Sequence, residues 1–223
     1  MTARFHGFTP AATQFFIDLA ANQDRTWFND HKHIYETEVK APMGALIEDV
    51  AAELERRGIP ITGDAKRGLF RIHRDVRFSH DKSPYKTHAG AVLTRDGRKS
   101  TPGLLYFHLD PTGCFVASGF YHPDPSQLSR LRDSVAYNPD EFTNLITHLE
   151  THNLNLSRDD SLSRLPRGYD THANSPHAWA LKLRNFTTHH PITEITTPTL
   201  PQTIATFATT TLKLLEWGWE ALE

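Results

Sequence analysis

Apolar residues recur at helical spacing through the first sixty positions. Phe8, Ala12, Phe15, Phe16 and Leu19 share one face, and Thr9-Pro10 supplies an N-cap and a first-turn proline, so a helix is predicted to open there. A second helix is predicted over 24–40, carrying Trp27, Phe28, Ile34 and Tyr35. Pro42 restarts or kinks it. Met43, Leu46, Ile47, Val50 and Leu54 then form an unbroken stripe, closed by Gly58 as the C′ residue.

Beyond Gly63 the period changes. Residues 69–72, 88–94, 103–109 and 115–121 read as short strands, and 79–84 (SHDKSP) as a loop. Asp96-Gly97 and Pro111-Thr112-Gly113 are turn signatures, which makes the last three strands an antiparallel meander. Helical spacing returns after Pro125 with Leu128, Leu131 and Val135. A second helix there carries Phe142, Leu145, Ile146 and Leu149, opened by Asn138-Pro139 with Glu141 in the manner of a capping box. Residues 151–170 are polar and read as an extended loop. Ser175-Pro176 starts a short helix, 183–188 a further strand, and a last helix runs from about Pro201 to Trp217 or beyond. The expected fold is α+β: a mainly antiparallel sheet, the meander at about 69–121, packed by N-terminal and C-terminal helices in a single domain, 1–223.

Composition narrows the class. A hydrophobic content of 38% with 13 Phe and 4 Trp can build a core, and a net charge of −2 argues against a general coat for nucleic acid or membrane. The single cysteine, Cys114, excludes an intrachain disulfide and a Cys-based zinc site, and its neighbours predict an inert core thiol. No run approaches the ~20 apolar residues of a membrane span, and the N-terminus lacks a signal-peptide core. A cytoplasmic protein without a membrane partner is expected.

One stretch departs from this ordinary balance. Residues 66–86 hold seven of the 24 Lys and Arg against two acids, Asp75 and Asp81, so the segment carries +5 and the rest of the chain −7. Such a concentration suits a bound anion. Arg71, Arg74, Arg77, Lys82 and Lys86 are the candidate ligand-binding cations, with Tyr85 able to stack on a ring or donate a hydrogen bond. Asp75 and Asp81 are candidate catalytic groups, as general base or as orienters of the arginines. The same residues also suit an Arg–Asp ion-pair network that fastens a loop to the sheet. Two further clusters, 22–28 and 165–170, carry Arg, Asp and aromatic residues and could border the segment.

Fourteen His invite a metal reading, but neither His31 and His33 nor His189-His190 share a face. His148 and His152 lack the zinc-protease spacing, so no metal ligand is nominated. There is no G-x-S-x-G elbow, phosphate-binding loop or dinucleotide fingerprint, and no cofactor is indicated.

The motifs Phe5-His6-Gly7-Phe8, Asn22 to Phe28 (NQDRTWF), Ala41-Pro42-Met43, Phe70 to Thr87 (FRIHRDVRFSHDKSPYKT), Gly119 to Pro123 and Leu165 to Asp170 (LPRGYD) are similar to those of a bacterial and fungal family, domain of unknown function 2461. The resemblance covers about 5–217, with small departures at Gln23 and Thr26. It implies a stand-alone cytoplasmic domain and brings no reaction or catalytic residue with it. The leading expectation is a small enzyme or binding domain for a phosphate-bearing or otherwise anionic small molecule. The alternatives are a non-catalytic module docking an acidic protein surface or nucleic acid, and a metal-dependent hydrolase using His and Asp.

Overall fold

A computed structural model describes residues 4–223. Its chain order is α1 (Pro10–Ala21), α2 (Arg25–Ile34), α3 (Ala41–Arg56), the single turn α4 (Ala65–Gly68), β1 (Ala89–Thr94), β2 (Leu104–Leu109), β3 (Cys114–Phe120), α5 (Pro125–Tyr137), α6 (Pro139–Thr151), β4 (Phe186–Ile192) and α7 (Leu200–Leu222). The four strands pair in chain order as an antiparallel meander, so the protein is α+β. No helix among the described residues is long and apolar enough to cross a membrane.

The chain divides into two compact units. The first comprises residues up to Thr101, with Leu105–Val116 and Pro191–Phe207. The second comprises Pro102–Leu104, Ala117–His190 and Ala208–Glu223.

In the first unit the predicted stripe is buried as expected, from Met43 to Leu54 on α3. Its end is a full Schellman motif: the Ile59 N–H donates to the Leu54 carbonyl and the Gly58 N–H to that of Glu55, with Gly58 at φ +69°. Phe8 stacks near Phe107 at 6.1 Å between ring centres, and Phe15 meets Phe16, Phe28 and Tyr35. The helix predicted over 24–40 is α2 followed by a π-type segment, Tyr35–Lys40. The reason is Pro42, whose ring crowds the carbonyl four residues back. The wider turn, in which the Ala41 N–H reaches the Glu36 carbonyl, carries the chain into α3 without a break.

In the second unit the capping differs from expectation. Asn138 opens α6 without a side-chain cap bond. The capping box is at α5 instead, where the Asp124 carboxylate accepts from the Ser126 and Gln127 amides and Gln127 reaches back to the Asp124 amide. The short helix expected after Ser175-Pro176 is a 3₁₀ turn, Ala180–Lys182, and the strand predicted at 183–188 is β4, which starts three residues later and ends four later.

Loss of the α5 cap by Asp124→Ala is expected to lower stability by about 1 kcal/mol, the ordinary worth of an N-cap side chain. Asn138→Ala, which removes no cap bond, should stay within about 0.5 kcal/mol of wild type. Urea unfolding of both variants checks the pair.

Candidate functional site

The basic stretch folds as two different structures. Up to Arg74 it runs alongside residues 84–91, with the Phe70 N–H donating to the Gly90 carbonyl, Lys86 to Ile72, and Arg74 to Pro84. The strand expected at 69–72 is therefore a ragged antiparallel edge, bridged at Leu69 to Ala91 and His73 to Tyr85. Beyond Arg74 the chain leaves that edge as an exposed loop whose charges pair internally. Arg77 clamps Asp75 through Nε at 2.9 Å and Nη2 at 2.7 Å. Arg74 binds Asp81, and Lys82 donates to the Val76 carbonyl at 2.9 Å. The Ser83 hydroxyl and Arg74 hold the Asp81 carboxyl far below the usual carboxylate range, and the Arg77 fork lowers that of Asp75. A carboxylate as acidic as Asp81 is poorly matched to accepting a proton near neutral pH. Phe78, at the outer end of this loop, is 95% exposed.

Tyr85 is a core residue. Its ring stacks on Phe28 at 4.3 Å and its amide donates to Gln23 Oε1, so the cluster 22–28 does meet the basic stretch, as a packing partner. In the second unit, Tyr169 of the cluster 165–170 is buried and its hydroxyl donates to Asp133 at 2.7 Å.

The remaining cations gather on the outer face of the sheet in the first unit. Lys86 Nζ lies 5.4 Å and Lys99 Nζ 4.7 Å from the centre of the Phe70 ring. Lys99 also donates to the Leu69 carbonyl at 2.7 Å. Burial, then the Arg71 charge, pushes the Lys86 ammonium below its ordinary pKa; burial, then Lys86, does the same to Lys99. Among the described residues none of Arg71, Lys86 and Lys99 forms an ion pair.

Next to them stands a group absent from the sequence reading. Alternation along β2 buries Leu105, Phe107 and Leu109 and turns Tyr106 and His108 to the outer face. Asp110 follows two residues later, and a neighbouring ring is that of His88, whose centre is 4.6 Å from that of His108. His108 Nε2 is 3.7 Å from Asp110 Oδ2, its Nδ1 is 2.8 Å from the Tyr106 hydroxyl, and Phe115 stacks on its face at 4.6 Å. Donor atoms of His88, His108 and Asp110 all lie within 4.8 Å of one another, a set able to hold a metal ion. Burial, then Lys86, pushes His88 below the ordinary histidine range; burial, then His88, does so for His108. Burial opposes the charge on Asp110, yet the Thr112 hydroxyl and amide with the two imidazoles hold its carboxyl below the usual value. Cys114 is half-buried beside this group, and burial raises its thiol pKa, so it stays protonated.

The signal for this cluster was the spacing His108-x-Asp110 at a strand end, which puts both side chains on one face, with His88 immediately before the neighbouring strand. Three of the histidines weighed from sequence are engaged elsewhere. His148 bonds the Thr210 carbonyl, His152 that of His148, and His31 that of Trp27.

The model of a family described as conserved hypothetical protein (DUF2461) matches residues 11–217. The chain belongs to this family. The match takes in both units, and with them the basic stretch and the outer sheet face. No curated protein and no solved structure matches the chain.

Gly90 fixes the geometry of this face, because a Cβ there would lie 2.5 Å from the Tyr106 hydroxyl and 2.9–3.0 Å from its ring. Gly90→Ala is expected to displace the phenol from His108 and cost about 1–3 kcal/mol through overpacking. Gly113→Ala, with no neighbour in reach, should be close to neutral. Thermal unfolding of the two variants side by side tests this.

Proposed function

We propose that the outer sheet face of the first unit binds a small anionic molecule, phosphate-bearing or carboxylate, through Lys86, Lys99 and Arg71 around the Phe70 ring. The observation that carries this reading is the convergence of two ammonium groups on one half-buried ring, at 5.4 and 4.7 Å, with no carboxylate paired to either. Like charges held together in a partly dry place cost free energy, and an anion removes that cost by joining them. Phe70 offers a flat apolar surface for the rest of the ligand. The cations of the exposed loop, Arg74, Arg77 and Lys82, already have partners and stand outside the contact. Asp75 and Asp81 orient those arginines.

A cleft of about 330 Å³ in the second unit offers the opposite chemistry. Asp133, Glu141 and Glu220 line it, and its Arg130 donates to the Leu222 carbonyl. An anion is disfavoured there.

The test is a thermal-shift and calorimetric screen of the purified protein with inorganic phosphate, pyrophosphate, nucleotides and dicarboxylates. A saturable response to one class is expected; a ligand at 100 times its Kd stabilises by about 2.7 kcal/mol. Lys86→Ala and Lys99→Ala should each weaken binding about tenfold, the scale of one charge-assisted contact, while Arg77→Ala leaves it unchanged. A response untouched by Lys86→Ala and Lys99→Ala contradicts the assignment. Affinity falling steeply with salt and rising with polynucleotide length would point to nucleic acid instead.

A further inference from the structure

The geometry points to a divalent metal site formed by His88, His108 and Asp110 on the outer face of the first unit's sheet, with His108 Nε2 and an Asp110 carboxylate oxygen as two of its ligands and a ring nitrogen of His88 as the third. This goes beyond anion binding and does not depend on it.

The His108–Asp110 separation is the first argument. At 3.7 Å, Nε2 and Oδ2 are too far apart for a hydrogen bond. They are close to the edge of a tetrahedral site, which is about 3.3 Å when the ion lies 2.0–2.1 Å from each donor. The third donor is within 4.8 Å of both, a distance that small side-chain rotations close.

The second argument comes from the other side of the imidazole. His108 Nδ1 sits 2.8 Å from the Tyr106 hydroxyl. When Nδ1–H donates to that oxygen, the Nε2 lone pair faces the Asp110 carboxylate, and two electron-rich groups meet across a gap that a cation fills. A ligating histidine ordinarily gives its second N–H to such a partner, which fixes the ring's tautomer and angle. Here Phe115 stacked on one face and Tyr106 at Nδ1 hold the ring before any ion arrives. Asp110 is held in the same way, its Oδ1 accepting from the Thr112 amide at 2.8 Å and hydroxyl at 2.6 Å, which leaves Oδ2 toward His108. These contacts preorganise the donors that the sheet brings together.

Two imidazoles and one carboxylate select a first-row divalent ion such as Zn²⁺, Co²⁺ or Fe²⁺ over Mg²⁺ or Ca²⁺, which prefer oxygen. Three protein ligands leave at least one coordination position open, the pattern of metal sites that bind substrate or water rather than of closed structural ones. A metal in that place would polarise an anion's oxygen or acidify a bound water.

The test uses Co²⁺ as the probe, with no anionic ligand present, so its outcome is separate from that of the anion screen. Apo protein titrated with Co²⁺ at pH 7.5 should bind one equivalent, with visible d–d bands of a four- or five-coordinate ion. His108→Ala and Asp110→Ala should each abolish the bands. Tyr106→Phe should retain them with affinity reduced 10–100-fold, because it removes only the partner of Nδ1. The double variant His148→Ala/His152→Ala, which alters another close histidine pair, should bind as wild type. Far-UV circular dichroism of each apo variant confirms that it is folded. Absence of one-equivalent binding by wild type, or bands that survive His108→Ala and Asp110→Ala, overturns the assignment.

Discussion

A strand with alternating side chains can bury only one of its faces, and the outer face of the first unit follows from how β2 meets that constraint. Leu105, Phe107 and Leu109 are each no more than 3% exposed. Burying side chains of this kind is worth roughly 1.5–3 kcal/mol apiece. A one-residue slip would forfeit all three and drive Tyr106 and His108 into the core. The apolar side of the strand therefore sets where the imidazole and phenol stand. Gly90 on β1 completes the arrangement by leaving room for the phenol.

Charge sorts itself on this frame by what each residue can reach. Beyond Arg74 the chain is an exposed loop, where carboxylates two and seven residues away are within reach of Arg77 and Arg74. Such exposed pairs are worth about 0–1 kcal/mol each, enough to order side chains and too little to hold a fold. Lys86 and Arg71 belong to the paired edge, and Lys99 lies in the turn after β1; among the described residues none of the three forms an ion pair, and the nearest charge relation to an acid is that of Arg71 with Asp75. The ion pairs expected of an Arg–Asp network form in the loop, and the cations of the sheet edge are without an ion pair among the described residues.

Strand periodicity with its turn residues was readable because both are local. β1, β2 and β3 lie within one residue of expectation, and Gly58 closes α3 as its position predicts. The features that escaped depend on more than neighbours. Asn138-Pro139 has the right residues for a cap, but at φ −121°, ψ 56° its side chain makes no cap bond, whereas Asp124 at φ −64°, ψ 164° makes two. Tyr85, read as a candidate ligand contact, is buried because Phe28, 57 positions earlier, supplies a stacking partner. The His88–His108–Asp110 group needs the register of two strands before its members are neighbours, and a charge count over one segment cannot show which cations find acids.

The central claim is that Lys86 and Lys99 are crowded cations awaiting an anion, and it is tested most directly by measuring their own titrations. NMR of selectively ¹³C-labelled lysine side chains, assigned with Lys86→Arg and Lys99→Arg, follows each ammonium against pH with and without saturating pyrophosphate. The account predicts that both titrate below the ordinary 10.5 in the free protein and move up when the anion binds, since a neighbouring negative charge favours the protonated form. Titration at or above 10.5, unmoved by pyrophosphate and by every other anion class, would contradict it.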